Sequence, residues 1–485
     1  MKPDPPSNSA LEPPLRRLSR LPAVRLDAAG RRRVDLKAVG RLAVPLAANS
    51  ALQAVLNLTD TWFVGRLSTD ATTALGAVHF LVIVCFLVVG GTGLAVQPLV
   101  AQAYGARRQW RASQAAWLGI WGSGCAAPAF IGLAFAGAWI LGPFGLPASI
   151  YALALDYWFP RLLGAPAGVL LWTLCAFFNG IGRTGITLTL MAVVAALNVP
   201  LNEFLIFRLE LGMAGAAWAT TLATAAGAVM ALAAFLSRPV RDEYASHLTW
   251  RPRWRGIGRL LALGLPTGLL PAVEIAAFWL FQVMMARLGP VDGAASQIVM
   301  ALTSLAYMPV VGLALAGTTL VGQSIGAGDK AWAARVGDTT IALAMGYMAA
   351  VGMGLALGGP WLIPLFVNAA DTHAPEVVRL GIVLMWIAAG YQIFDGINIG
   401  ASFCLRGAGD VRVPTALVTV LAWAGFIPAV HVVAFAPGQG WIDALPAWGW
   451  GAVGGWLAAL LYIVAAGLTL YARWRSGAWR KIRLG

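Results

Sequence analysis

The chain has 485 residues, of which 59% are hydrophobic and 11% charged, against about 25% charged in soluble domains. Its mean hydropathy is +0.75, which excludes a water-soluble surface and leaves an all-α integral membrane protein as the fold class. The formal net charge of +14 raises the possibility of nucleic acid as a partner, and the positions of the basic residues, taken up below, argue against it.

Residues 1–40 read as a basic tail on the inner side of the membrane. Its first 30 or so residues are rich in Pro, Arg and small polar residues and are expected to lack a fold. Val34 to Leu42 suit a short amphipathic lead-in on the membrane surface. No short apolar segment with a cleavage site precedes the first span, so no removable signal is expected. Apolar stretches able to cross a hydrocarbon core, about 20 residues each, then follow at 42–64, 72–104, 113–141, 150–178, 186–207 and 213–236.

The first span contains Asp60, in Asn57-Leu-Thr-Asp60-Thr-Trp. A carboxylate near the bilayer centre costs about 2.5 to 3.5 kcal/mol on insertion scales, so it needs a partner or a role. Asn198 and Asn202, four apart in span five, are placed to bring amide oxygens toward it. Asp156, Glu203 and Glu210 fall near predicted outer ends, within reach of water.

Residues 41–237 thus form a first lobe, and 238–256, with Pro239, Pro252 and several charges, an inner linker. Six further spans, at 258–286, 293–325, 333–366, 377–404, 413–435 and 449–472, make a second lobe over 257–475, followed by a tail at 476–485. The second lobe repeats the first. Pro45, Arg66, Leu67, Leu99, Val100, Gln102, Gly105 and Ala106 each reappear 221 positions later, from Pro266 to Ala327. Six spans is an even number, so the copies enter the membrane in the same direction, as two pseudo-symmetric lobes of a twelve-helix bundle. Among membrane proteins, duplication of this kind points to a carrier whose lobes rock about a central site. Asn179-Gly-Ile-Gly-Arg183 is echoed by Arg406-Gly-Ala-Gly-Asp410, and such turns are expected simply to reverse the chain.

Two more acids lie in this lobe: Glu274 in span seven and Asp395 in span ten, in Tyr391-Gln-Ile-Phe-Asp395. Neither has a Lys or Arg at helical spacing. Tyr391 and Asp395 are four apart, and with Glu274 from a facing helix they predict a small oxygen cage. Hard oxygen ligands of this kind suit Na+ or a proton. Most aromatic residues read as lipid-facing or interfacial anchors, with Trp62, Trp279 and Phe281 as candidates for stacking on a flat cationic substrate.

With the N-terminus inside, all of the 34 Lys and Arg residues lie in the tails or inner loops except Arg66, Arg161, Arg208, Arg287 and Arg379. This is the positive-inside pattern of an inner or plasma membrane protein with both termini in the cytoplasm. It makes membrane lipid, not nucleic acid, the expected partner of the basic excess. Cys85, Cys125, Cys175 and Cys404 are scattered through the spans, and the four histidines are scattered along the chain. No catalytic grouping or metal motif is visible, so an intramembrane enzyme is not expected, and neither is a cofactor.

The run Asp60-Thr-Trp-Phe-Val-Gly65, the pair Leu99-Val-Ala-Gln-Ala-Tyr-Gly-Ala106 and Leu320-Val-Gly-Gln-Ser-Ile-Gly-Ala327, and Leu405-Arg-Gly-Ala-Gly-Asp410 resemble the multidrug and toxic compound extrusion (MATE) family over residues 40–475. The resemblance implies two six-helix lobes and export of hydrophobic organic cations, coupled to inward flow of Na+ or H+. It resembles most the NorM branch, which maps a second-lobe cation site onto Glu274, Tyr391 and Asp395. It also maps a first-lobe polar network onto Asp60, Asn198 and Thr220. Where that network often carries a second acid, this chain has Asn202. The expectation is a monomeric antiporter with small-molecule cations as partners. The rival is a flippase for a lipid-linked or amphipathic substrate on the same scaffold, which would show basic residues within its spans, where this chain has little besides Arg161.

Overall fold

A computed structural model describes residues 21–367, 372–442 and 445–482, so residues 1–20 of the predicted tail lie outside the described residues. The first lobe runs from α1 (Leu36–Gly65) through α2 (Thr69–Leu94), α3 (Val96–Gly105), α4 (Gln109–Phe135) and the short α5 (Gly137–Leu141). It continues with α6 (Ala148–Leu163), α7 (Ala165–Gly180), α8 (Thr184–Asn202) and α9 (Gly212–Phe235). The short α10 (Arg238–Tyr244) opens the connection to the second lobe. There, α11 (Trp254–Leu288), α12 (Pro290–Gly326), α13 (Lys330–Leu362) and α14 (Ala374–Ala408) precede α15 (Arg412–Val420), α16 (Ile427–Ala434) and α17 (Gly451–Arg475).

Eleven helices are long and apolar enough to cross a membrane, and the bent pair α6–α7, counted as one span, makes twelve. The multi-pass, two-lobed architecture is the one expected from the sequence. Polar caps start several helices as their residue types dictate: Asp35 accepts from the Lys37 amide, Ser68 from Ala71 and Asp329 from Trp332. Outward faces carry bare hydrophobic side chains such as Trp139, Trp361 and Leu365, each at least 75% exposed, as a surface solvated by lipid requires.

The α6–α7 bend is 47°. Pro166 removes a backbone donor just past the break, and the Thr221 hydroxyl donates to the Pro160 carbonyl (3.1 Å). A Cβ on Gly164 would lie 2.1 Å from Thr221 Cγ2, whereas one on Gly185 would meet nothing within 4 Å. Gly164→Val is therefore expected to overpack this joint at a cost of about 1–3 kcal/mol. A lowered thermal midpoint of the purified protein checks this, with Gly185→Ala as the unaffected control.

The later part of the basic tail differs from the expectation that it lacks a fold. Val24–Leu26 and Arg32–Val34 pair as an antiparallel hairpin. The Asp27 side chain organises its turn by accepting from the Ala29 and Arg31 amides (3.0 and 2.8 Å), and Gly30 takes the positive φ the turn requires. The Arg31 amide, then the Arg33 guanidinium, hold the Asp27 carboxyl below its ordinary range. The hairpin is fastened to the second lobe: Trp332 Nε1 donates to the Pro22 carbonyl (2.9 Å), and Arg32 pairs with Asp329 (3.0 Å). The predicted amphipathic lead-in is instead the end of the strand Arg32–Val34 followed by the start of α1, with Val39 buried against the second lobe.

The lobes meet along α1–α12, α2–α11 and α3–α12. Close backbone approaches at glycine mark where. Gly312 packs on Ala47, Gly268 on Leu87, Gly91 on Gly264, Gly105 on Gln323 and Gly326 on Gln102. These contacts fall in the middle of the helices or in the half nearer the hairpin, and both described chain ends lie at that same end of the molecule, where Lys330 reaches the Arg480 carbonyl (2.5 Å).

Candidate cation-binding sites

The buried stripe of α1 runs Leu46, Ser50, Leu56, Asp60, Phe63 and Val64, at helical spacing, so Asp60 is carried into the first lobe with the apolar residues of its own face. α8 and α9 meet it there. Asp60 Oδ1 accepts from Asn202 Nδ2 (2.8 Å) and Oδ2 from the Thr220 hydroxyl (2.6 Å). Asn202 Nδ2 also donates to Asn198 Oδ1 (2.9 Å), and Asn198 Nδ2 to Thr220 Oγ1 (3.2 Å). The four side chains close a ring, each no more than 6% exposed. Every donor to the carboxylate is neutral, and no Lys or Arg lies within ion-pair distance of Asp60 among the described residues. Asn202 supplies one of the two donors.

In the second lobe, α11 and α14 bring Glu274 and Asp395 together, and the residue between them is one the sequence reading did not single out. Asn398 Nδ2 donates to Glu274 Oε1 (3.3 Å) and to Asp395 Oδ1 (3.4 Å), while its Oδ1 has no partner. Tyr391 does not complete the predicted cage: its ring packs near Trp456 (centroids 6.1 Å apart), and among the described residues its hydroxyl has no hydrogen bond to Asp395. Asn398 leans back along the helix onto Asp395, three positions before it, while the Tyr391 ring is turned toward Trp456. Spacing alone treats i−4 and i+3 as equivalent, although the Asx-rich run Asp395-Gly-Ile-Asn398 was a signal that direction makes readable. Tyr307 and Tyr462 also flank the pair, and the Tyr462 hydroxyl is buried without a partner. Asp395 is buried and Glu274 half-buried.

The carboxylates therefore form two separate groups, one inside each lobe. Phe281 is not a cavity residue either: it is fully buried, against Phe426 and Trp456 (5.6 and 5.7 Å). Trp62 and Trp279 stay exposed. Glu203 is at the surface beside Arg66 (3.6 Å).

The glycine turns do more than reverse the chain. Gln102 Nε2 of the first lobe donates to the Gly407 carbonyl of the second (3.0 Å), and Gln323 Nε2 of the second to the Gly180 carbonyl of the first (2.9 Å). The duplicated glutamines and the duplicated Gly-x-Gly turns are thus reciprocal halves of one cross-lobe latch.

The MatE family model matches residues 45–204 and 266–430, two blocks that begin on the duplicated prolines Pro45 and Pro266. A Pseudomonas aeruginosa protein named probable multidrug resistance protein NorM is 31% identical over 461 residues, covering 91% of this chain and 90% of its own. A Rhizobium meliloti protein of the same name is 28% identical over 445 residues, covering 90% and 91%. A solved structure described as the outward-facing conformation of a multidrug resistance MATE family transporter superposes with a TM-score of 0.79 at 20% identity, over 92% of this chain and 96% of that one.

Fold and duplicated blocks together define a multi-pass membrane transporter, not an enzyme. The chain belongs to the multidrug and toxic compound extrusion family, among its NorM-like members.

Proposed function

We propose that this protein is a multidrug exporter of a bacterial inner membrane, which moves hydrophobic organic cations outward in exchange for Na+ or H+ by alternating access. The observation that carries this reading is a buried carboxylate group in each lobe held only by neutral donors: Asn202 and Thr220 on Asp60, and Asn398 on Glu274 and Asp395. An acid in this position has no ion-paired partner among the described residues, and loading with a positive ion supplies one. In the second lobe, a cation would displace the Asn398 amide donors and be held by Glu274, Asp395 and the unpartnered Asn398 oxygen, with Tyr391 outside this set. In the first lobe, the ring around Asp60 suits a proton, because all four of its members can exchange donor and acceptor roles.

The basic excess supports a cytoplasmic placement of the hairpin end, where both described chain ends lie. The lobes are in contact at that end, so the conformation is the one closed to the cytoplasm, and the glycine contacts there are what inward opening would break. Substrate contacts are apolar and aromatic, with Glu274, half-buried, attracting positive charge. The flippase reading gains no support from the carboxylate sites, since among the described residues no Lys or Arg lies within ion-pair distance of Asp60, Glu274 or Asp395. The lobe boundaries follow the duplication, with residues 41–237 and 257–475 as the moving units.

Ethidium uptake into inside-out vesicles tests the proposal. Uptake is expected to require either a Na+ gradient or a pH gradient and to stop when that gradient is collapsed. Uptake that survives collapse of both gradients would overturn the coupled mechanism.

A further inference from the structure

A cavity of about 1140 Å3 opens between the lobes at the hairpin end. Its walls come from the end of α3 and the start of α4 in the first lobe, and from the starts of α11 and α15 in the second. Gln102 and Gly326, the residues at which the lobes cross, form part of its back. Positive-inside loops ordinarily spread their charge over a wetted surface, but here the charge converges. Arg108, Arg111, Arg255, Arg259 and Arg412 all line this space, and none has a carboxylate partner among the described residues. The acid in the lining, Asp410, is already bonded to Arg473 (2.8 Å). Like charges drawn this close repel one another, and the cleft focuses their field. A bound anion relieves that repulsion. Guanidinium groups match a phosphate in particular, through paired N–H donors. The lining also carries an apolar set, Leu99, Leu118, Leu260, Leu263 and Val413, that suits a hydrocarbon chain attached to the anion.

We propose that this inter-lobe cleft binds a phosphate group, carried by an anionic phospholipid, and that the bound headgroup ties the two lobes together in the conformation closed at this end. Arg108 and Arg111 hold it from the first lobe, and Arg255, Arg259 and Arg412 from the second, so opening this end pulls the two sets apart. The inference concerns lipid binding and does not rest on the coupling ion or on the direction of transport.

The full chain in a neutral phosphatidylcholine background, titrated with phosphatidylglycerol and read by native mass spectrometry, tests it. One phosphatidylglycerol is expected to be retained preferentially. Neutralising a cation near an anionic lipid weakens attraction roughly fivefold. Arg259→Gln alone is thus expected to lose about that factor, and the triple variant Arg111→Gln, Arg259→Gln, Arg412→Gln on the order of 100-fold. A second triple, Arg25→Gln, Arg31→Gln, Arg238→Gln, removes the same charge outside the cleft and is expected to bind as the unchanged protein does. Equal thermal midpoints of both triples in phosphatidylcholine show that each is folded, and Arg259→Gln serves if the cleft triple is not. Unchanged binding by the cleft variants, or equal loss in both triples, overturns the site. Inorganic phosphate and glycerol 3-phosphate at millimolar concentration are expected to leave the lipid bound; full displacement by either would overturn the lipid as the source of the phosphate.

Discussion

Ethidium efflux by an Asp395→Asn protein is expected to fall by about 5- to 150-fold, the range that corresponds to losing a coupling free energy of about 1–3 kcal/mol between two sites. The substitution keeps the shape of the side chain. An amide oxygen at position 395 still accepts from Asn398 Nδ2, which now lies 3.4 Å from Asp395 Oδ1, so the packing of α14 has no reason to fail. What is lost is the negative charge that a cation would neutralise. Asp60→Asn is expected to behave in the same way, because an amide there can accept from Asn202 and donate to Thr220 Oγ1, keeping the ring closed while removing its acid. Ser113→Ala serves as the control: Ser113 is equally buried and polar, but its hydroxyl contacts Thr249 (2.8 Å) and neither carboxylate site. Efflux at the unsubstituted level from both Asp→Asn proteins, with normal amounts in the membrane, would remove the basis for ion coupling at these sites. Tyr391→Phe gives a sharper distinction. It would disable transport if the phenol ligates the cation, and it is expected to leave efflux nearly intact because the ring packs near Trp456.

What the sequence made legible follows from which forces are local. Span positions depend on runs of apolar residues against a fixed membrane thickness, and the expected 213–236 and observed Gly212–Phe235 agree because a bilayer tolerates little else. The first-lobe ring was partly readable for a similar reason: Asn198 and Asn202 are one helical turn apart and Asp60 lies on the buried stripe of α1, so the groups had few other places to find partners. The identity of the third member of the second-lobe site was not readable, because the choice between Tyr391 and Asn398 depends on side-chain direction and on Trp456 from a distant helix. The hairpin at Val24–Val34 escaped because polar composition suggests a solvated chain, while its fastening depends on Trp332 and Asp329, about 300 residues away. The Gly-x-Gly turns were seen and given the ordinary meaning. Their reciprocal role needs the second lobe to be present.

That reciprocity predicts an effect out of proportion to a single methyl group. Cβ atoms at Gly105 and Gly326 would lie 2.0 Å from the carbonyl oxygens of Gln323 and Gln102, respectively, and a backbone carbonyl cannot rotate away as a side chain does. Gly326→Ala must therefore push the lobes apart at the closed end, at an overpacking cost of about 1–3 kcal/mol. The cost falls on the closed conformation and not on the fold, since each lobe keeps its own cores, around Phe281 and Trp456 in the second and around Trp158 and Phe177 in the first. A two-state equilibrium biased by that amount shifts its population about 5- to 150-fold toward the form open at this end. Spin labels at Gln109 and Ala331, on opposite lobes beside the crossing, in a protein with its four cysteines replaced, are expected to report a longer distance in Gly326→Ala than in Gly185→Ala. Gly105→Ala is expected to produce a comparable lengthening. Combining the two should add less than their sum, because lobes already separated by the first methyl no longer resist the second. Gln102→Leu and Gln323→Leu, which each remove one hydrogen bond of about 0.5–1.5 kcal/mol without a clash, are expected to act in the same direction and more weakly. An unchanged distance in Gly326→Ala would mean that the lobes do not separate at this crossing, and the glycine latch would then be a packing detail and not the gate.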